Sequence, residues 1–223
     1  MLWAWEAPED LTTLDPAKAG VAFLSRELLL GRNAEVRRRR QPLWLASNTW
    51  LMAVVRIETA SDFSPTAEFI SETVSEIVAA AQQANVRAIQ VDFDATSSQH
   101  AFYAAVLRQL RPQLPSGMPL SITALVSWCG VGSWLHSLPI DEAVPMFFRM
   151  GESAATRAIT PKNSNYLYEP LCSGSVGIST DETWPAIHSG ERVYVFLPGS
   201  WTQQDLASIN ALGYYGLIKD SQK

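Results

Sequence analysis

Eight short apolar runs punctuate the chain, at 2–6, 21–30, 50–59, 88–94, 120–128, 143–151, 175–180 and 192–199. Each is about the length of a strand and rich in Val, Ile, Leu and aromatic residues. Continuous apolar character, without strict alternation, is what a strand buried on both faces shows, and such strands belong to parallel sheets. Helical or irregular segments separate the runs. The clearest helix follows the third run, with Ser64 as the expected cap, Pro65 at the first helical position, and Ile70, Val74, Ile77, Val78 and Ala81 at helical spacing up to about Asn85. A second covers about 98–111, a short one lies around 131–137, and a last one starts at Thr202 and stops at Gly213. Residues 214–219 are expected to add a closing extended piece.

Eight strands with intervening helices predict an α/β fold, and eight is the number that closes a (β/α)8, TIM-like barrel. The whole chain of 223 residues is expected to form this one barrel-like domain. It is a somewhat irregular barrel, with short or missing helices, an excursion at 34–48 that suits a hairpin, and a long Ser-, Thr-, Asn- and Pro-rich loop at 152–173. An open doubly wound sheet is the alternative, but "EAPED" after the first run is no glycine-rich phosphate loop.

Composition narrows the partners. A net charge of -5 gives no support for nucleic acid. The run Arg37–Arg40 reads as an exposed strand edge kept soluble by charge, with a polyanion patch as the alternative. No apolar run reaches the roughly 18 residues of a membrane span. The first ten residues show neither the basic start nor the apolar stretch of a signal peptide. The sequence carries nothing on oligomeric state. Cys129 and Cys172 form no CxxC pair, which leaves two buried thiols or one disulfide.

Polar groups collect where the apolar runs end: Glu6, Arg26 with Glu27, Arg56 with Glu58, Asp92 with Asp94, Ser127 with Trp128, Arg149, and Asp181 with Glu182. In a barrel those ends form the functional face. Asp92 and Asp94 stand two apart and so share one face of a strand. Such groups can form an internal ion network, with Arg56 and Arg149 neutralising the acids. They can equally line a cleft in which paired carboxyls divide acid and base roles, as glycoside hydrolysis requires. On that reading Asp94 is the essential acid, Asp92 orients it, and Glu58, Asp181 and Glu182 are the partner candidates. Glu6, Arg56 and Arg149 contact substrate, and Trp128, Trp184 and Trp201, each just past a strand end, offer stacking platforms for sugar. Asp92, Asp94 and Glu58 carry oxygen ligands, but no metal and no cofactor is expected. His100, His136 and His188 are scattered.

The segments "VDFDAT", "LSITALVSWC", "DEAVPMFFRMG", "LCSGSVGISTDETW" and "VYVFLPGSW" together resemble a bacterial family of unknown function, DUF3142, from "LWAWE" almost to the end of the chain. The resemblance implies a glycosidase-type barrel and leaves the substrate open. In its pattern Cys129 follows the fifth strand and Cys172 precedes the seventh, which implies a disulfide. The stretch around Asp92 is also similar to the family 18 chitinase signature D-x-x-D-x-D-x-E. Asp92 and Asp94 match its second and third acids, while Ile89 replaces the first and Thr96 the catalytic glutamate. The expectations are therefore a glycoside hydrolase-like protein, or a non-catalytic carbohydrate- or envelope-binding domain on a degenerate glycosidase barrel. A structural protein with a saturated ion network is a third possibility. Export follows from the carbohydrate reading and the two cysteines.

Overall fold

The computed structural model describes residues 1–150 and 168–217. All eight apolar runs form strands. They are β1 (Leu2–Ala4), β3 (Val21–Leu30), β6 (Leu51–Thr59), β7 (Val86–Asp92), β8 (Leu120–Leu125), β9 (Glu142–Met146), β10 (Ser175–Ser179) and β11 (Arg192–Phe196). Each pairs in parallel with the next in chain order, and β1 closes the ring by pairing with both β3 and β11, Leu2 standing opposite Val21 and Val195. The sheet is a closed eight-stranded parallel barrel.

Alternation along each strand sorts its residues. Val91, Ile122, Val176 and Val195 join the large core outside the barrel, whereas Trp3, Ala22, Met52, Val54, Ala88, Val144 and Tyr194 pack against one another in its interior. Gly177 makes room for the Met146 side chain, whose sulfur would lie 2.5 Å from a Cβ at that position. The inward Met146 packs on the interior cluster and lines the floor of the space above it.

Helices are few. Among the described residues there are three α-helices: α1 (Ala67–Ala81) after β6, α2 (His100–Leu110) after β7, and α3 (Gln203–Leu212) after β11. α1 starts two residues beyond the expected Pro65. Thr66, not Ser64, has the extended backbone of a cap, and its hydroxyl accepts the Phe69 N–H at 3.2 Å. It ends at Ala81, short of Asn85. α3 is capped by Thr202 in reciprocal hydrogen bonds with Asp205 and ends at Gly213, as its sequence predicts. The short helix expected near 131–137 is a single 3-10 turn, Leu135–Ser137, and another, Val126–Cys129, directly follows β8. The extended piece expected from 214 is instead a 3-10 segment, Gly213–Leu217.

The excursion at 34–48 contains β4 (Ala34–Arg38), an antiparallel edge strand on β3, and β5 (Leu43–Leu45), which pairs with β2 (Glu9–Leu11). Arg37 and Arg38 lie exposed on that edge, but Arg39 turns inward and donates to the carbonyl oxygens of Ala4, Trp5 and Ala7. Most of the long loop expected at 152–173 lies outside the described residues, and its end forms the turn Pro170–Cys172. Cys129 and Cys172 are joined in a disulfide with their Cα atoms 6.0 Å apart.

Candidate active site

A cleft of about 460 Å³ opens at the C-terminal ends of the barrel strands, lined by Trp5, Arg56, Asp92, Asp94, Arg149 and Phe196 among others. A second hollow of about 280 Å³ adjoins it and shares Arg56, Asp92 and Asp94, adding Glu58. A larger hollow of about 830 Å³ lies at the opposite end, where the polar groups are already matched: Arg111 with Asp141 at 2.9 Å and Arg192 with Glu142 at 2.7 Å. The free chemistry is at the upper mouth, where barrels carry their functional loops.

β7 sets the two aspartates. Gln90 and Asp92 point inward, so Asp92 ends the strand inside the barrel, 7 % exposed, and Asp94 stands exposed just above it. Asp92 accepts the Thr123 hydroxyl proton from neighbouring β8 at 2.7 Å and lies 3.5 Å from Arg56 on β6. Burial raises its carboxyl to about 6, the nearby negative charges of Asp94 and Glu58 add to the rise, and Arg56 and Thr123 only partly offset it. Asp94 makes no hydrogen bond or ion pair among the described residues. Arg56 spends Nε and one terminal nitrogen on Glu58, at 2.8 and 2.7 Å, and its guanidinium lies 5.3 Å from the centre of the Trp5 ring. Among the described residues no group of three or more His, Cys, Asp and Glu is placed to hold a metal ion.

The raised carboxyl has a consequence for stability. An aspartate whose folded pKa exceeds its unfolded value contributes stability that is full below the unfolded value, near 3.8, and is lost as pH rises through about 6. Asp92→Asn removes the ionisation. It is expected to be more stable than wild type at pH 8 by on the order of 2–3 kcal/mol, with the gap shrinking towards pH 4. Urea unfolding of both proteins at the two pH values measures this, and a gap that does not change with pH would contradict it.

The aromatic wall differs from the expected one. Trp3 and Trp5 stack at 5.8 Å, both meet Phe196 edge-on at 6.0 Å, and Phe148 stacks on Phe196 at 5.4 Å. Arg149 caps this group, its guanidinium 5.5 Å from the Phe196 ring centre.

Residues 48–144 match the model of a domain of unknown function, DUF3142. That segment belongs to DUF3142. The match begins just before β6 and ends within β9, so the DUF3142 segment supplies Arg56, Glu58, Asp92, Asp94 and Trp128, while Arg149, Asp181, Glu182 and the aromatic wall lie outside it. No curated protein and no solved structure matches the chain.

Several residues singled out in the sequence stand elsewhere. Trp128, within the DUF3142 segment, is 7 % exposed and packs among the rings of His100, Tyr103 and Trp134. Trp201 is buried and donates its indole N–H to the Trp3 carbonyl at 2.8 Å. Trp184 donates to the Ser179 carbonyl at 2.8 Å and lies against Tyr214. These three tryptophans tie loops to the barrel and do not line the cleft. Glu6 accepts the backbone N–H groups of Arg40 and Gln41, at 3.0 and 3.3 Å, and holds the hairpin. Arg26 lies within β3 beside a register shift and pairs outward with Glu76 on α1. Asp181 and Glu182 flank Arg149, at 3.5 and 4.0 Å, and the Ser179 hydroxyl holds the Asp181 carboxyl below its usual range. Neither of these two acids lines the cleft beside Asp94.

Proposed function

We propose that the upper cleft binds a carbohydrate and that Asp92 and Asp94 form the carboxyl pair of a glycoside hydrolase on a helix-poor (β/α)8 barrel. The observation that carries this reading is the difference between the two acids. Asp92 is buried against Thr123 and Arg56 with its carboxyl raised to about 6, whereas Asp94 stands in the open mouth. Carboxyls placed in different surroundings are the starting requirement for splitting acid and base roles. Trp5, Phe148 and Phe196 line the cleft with aromatic surface that suits contact with the C–H groups of a sugar ring. Hydrolysis by such a pair needs no cofactor.

A binding-only reading has its own observation. Thr96, in the position of the chitinase proton donor, is occupied locally: its N–H donates to the Gln99 side chain at 2.8 Å and its hydroxyl meets that of Ser98 at 3.0 Å. A barrel that kept the aspartates and lost the donor would hold a glycan without cleaving it.

A screen of plant and bacterial glycans, read by binding and by release of reducing ends between pH 5 and 7, tests both. Binding with product is the expected result. Binding without product leaves the binding domain, and absence of binding to every glycan overturns the carbohydrate reading.

A further inference from the structure

Resting on that carbohydrate reading, we infer that Arg149 recognises a carboxylate on the sugar, so that the glycan taken by the cleft is an acidic one. Arg149 has a left-handed backbone, φ 53°, which is costly for a residue with a side chain. The Glu182 carboxylate holds it there by accepting the Arg149 N–H at 3.0 and 3.1 Å. The conformation sends the side chain over the Phe196 ring and into the lining of the cleft.

The two arginines of the cleft differ in what they have left to give. Arg56 commits two nitrogens to Glu58 and faces Asp92 with the third. The Arg149 side chain is 57 % exposed, and its carboxylate neighbours stand at 3.5 and 4.0 Å. Asp181 is also engaged by the Ser179 hydroxyl. A guanidinium carries five N–H donors in a planar fork that fits a carboxylate edge-on. The guanidinium is held over the Phe196 ring at the cleft wall, with donors beyond the two nitrogens that Asp181 and Glu182 approach.

Repulsion from the catalytic acids does not prevent this. Arg149 follows β9 and the aspartates end β7, with β8 between them. Two strand spacings are about 10 Å. Arg149 and Asp94 therefore enter the cleft from strands that are not neighbours.

Calorimetry with glucuronic-, galacturonic- and sialic-acid oligosaccharides, each beside its carboxyl-reduced counterpart, tests the inference on wild type, Arg149→Gln and Arg149→Lys. Wild type is expected to bind the acidic member of at least one pair about tenfold more tightly. Arg149→Gln should lose that preference while keeping its affinity for the reduced member, and Arg149→Lys should retain part of it. Thermal melting checks that both variants are folded. Equal binding of acidic and reduced members by wild type, or a preference that survives in Arg149→Gln, overturns the role of Arg149 and leaves the carbohydrate reading standing. Binding of neither member of any pair overturns the role of Arg149, and a blank result in the wider glycan screen as well overturns the carbohydrate reading.

Discussion

Asp94→Asn is expected to bind glycan as wild type does and to release product at least about a thousandfold more slowly, the upper part of the range for a lost acid–base group. The substitution keeps shape and removes charge. Asp94 is exposed and makes no hydrogen bond or ion pair among the described residues, so the fold should change by no more than about 0.5 kcal/mol. Release of reducing ends, with binding and a melting curve measured on the same preparations, separates chemistry from folding. Turnover at the wild-type rate would remove Asp94 from the mechanism. Binding by both proteins with product from neither would select the binding-only barrel. The Asp92 neighbour adds a pH signature: if its protonated carboxyl delivers the proton, activity falls as pH rises through about 6. Thr123→Val removes a hydrogen bond to the ionised form and should move that limb upward.

The barrel was readable because its strands are buried on both faces. Val21–Leu24 and Leu51–Val55 are continuous apolar runs in sequence, and they lie in adjacent parallel strands in the fold. The number and order of strands followed from those runs, since a ring of parallel neighbours is the arrangement that leaves no edge of the eight unpaired. Helix ends were less legible. Ser64, Pro65 and Thr66 are three successive start signals, and which one caps depends on which residue takes the extended backbone. The inward turn of Arg39 was hidden in a run of four arginines, because only the closed barrel brings the carbonyls of Ala4, Trp5 and Ala7 to it.

The site was legible where it is set by strand alternation. Asp92 and Asp94 share a face because they are two apart, and Arg56 stands opposite Asp92 in the parallel register. It was not legible where loops decide. Trp128, Trp184 and Trp201 follow strand ends, but the chain has already turned outward at each, and their rings meet core or backbone. The cleft aromatics, Trp3, Trp5 and Phe196, lie inside apolar runs or at their ends and read as core. The signal that was available is spacing: Trp3 and Trp5 are two apart, as Asp92 and Asp94 are, and so extend one inward face up to the mouth.

Replacing Cys129 and Cys172 together by Ala is expected to cost about 4 kcal/mol of stability, the loop entropy released when a bridge spanning 43 residues is lost. Both cysteines are fully buried, so Ala leaves no unpaired polar group behind. The bridge also reinforces a junction held by backbone alone: the Cys129 carbonyl accepts the N–H groups of Tyr168 and Glu169, at 2.9 and 3.2 Å. Ser127, two residues before Cys129, lines the cleft, so loss of the bridge loosens one wall of the site as well as the fold. Guanidinium unfolding of the oxidised protein, the reduced protein and the double variant measures the effect. The reduced and substituted proteins should unfold at similar, much lower denaturant concentrations, and glycan affinity should fall with them. Coincident curves for all three would show that the Cys129–Cys172 bond adds nothing to stability. Two free thiols in denatured, non-reduced protein would show that it does not form.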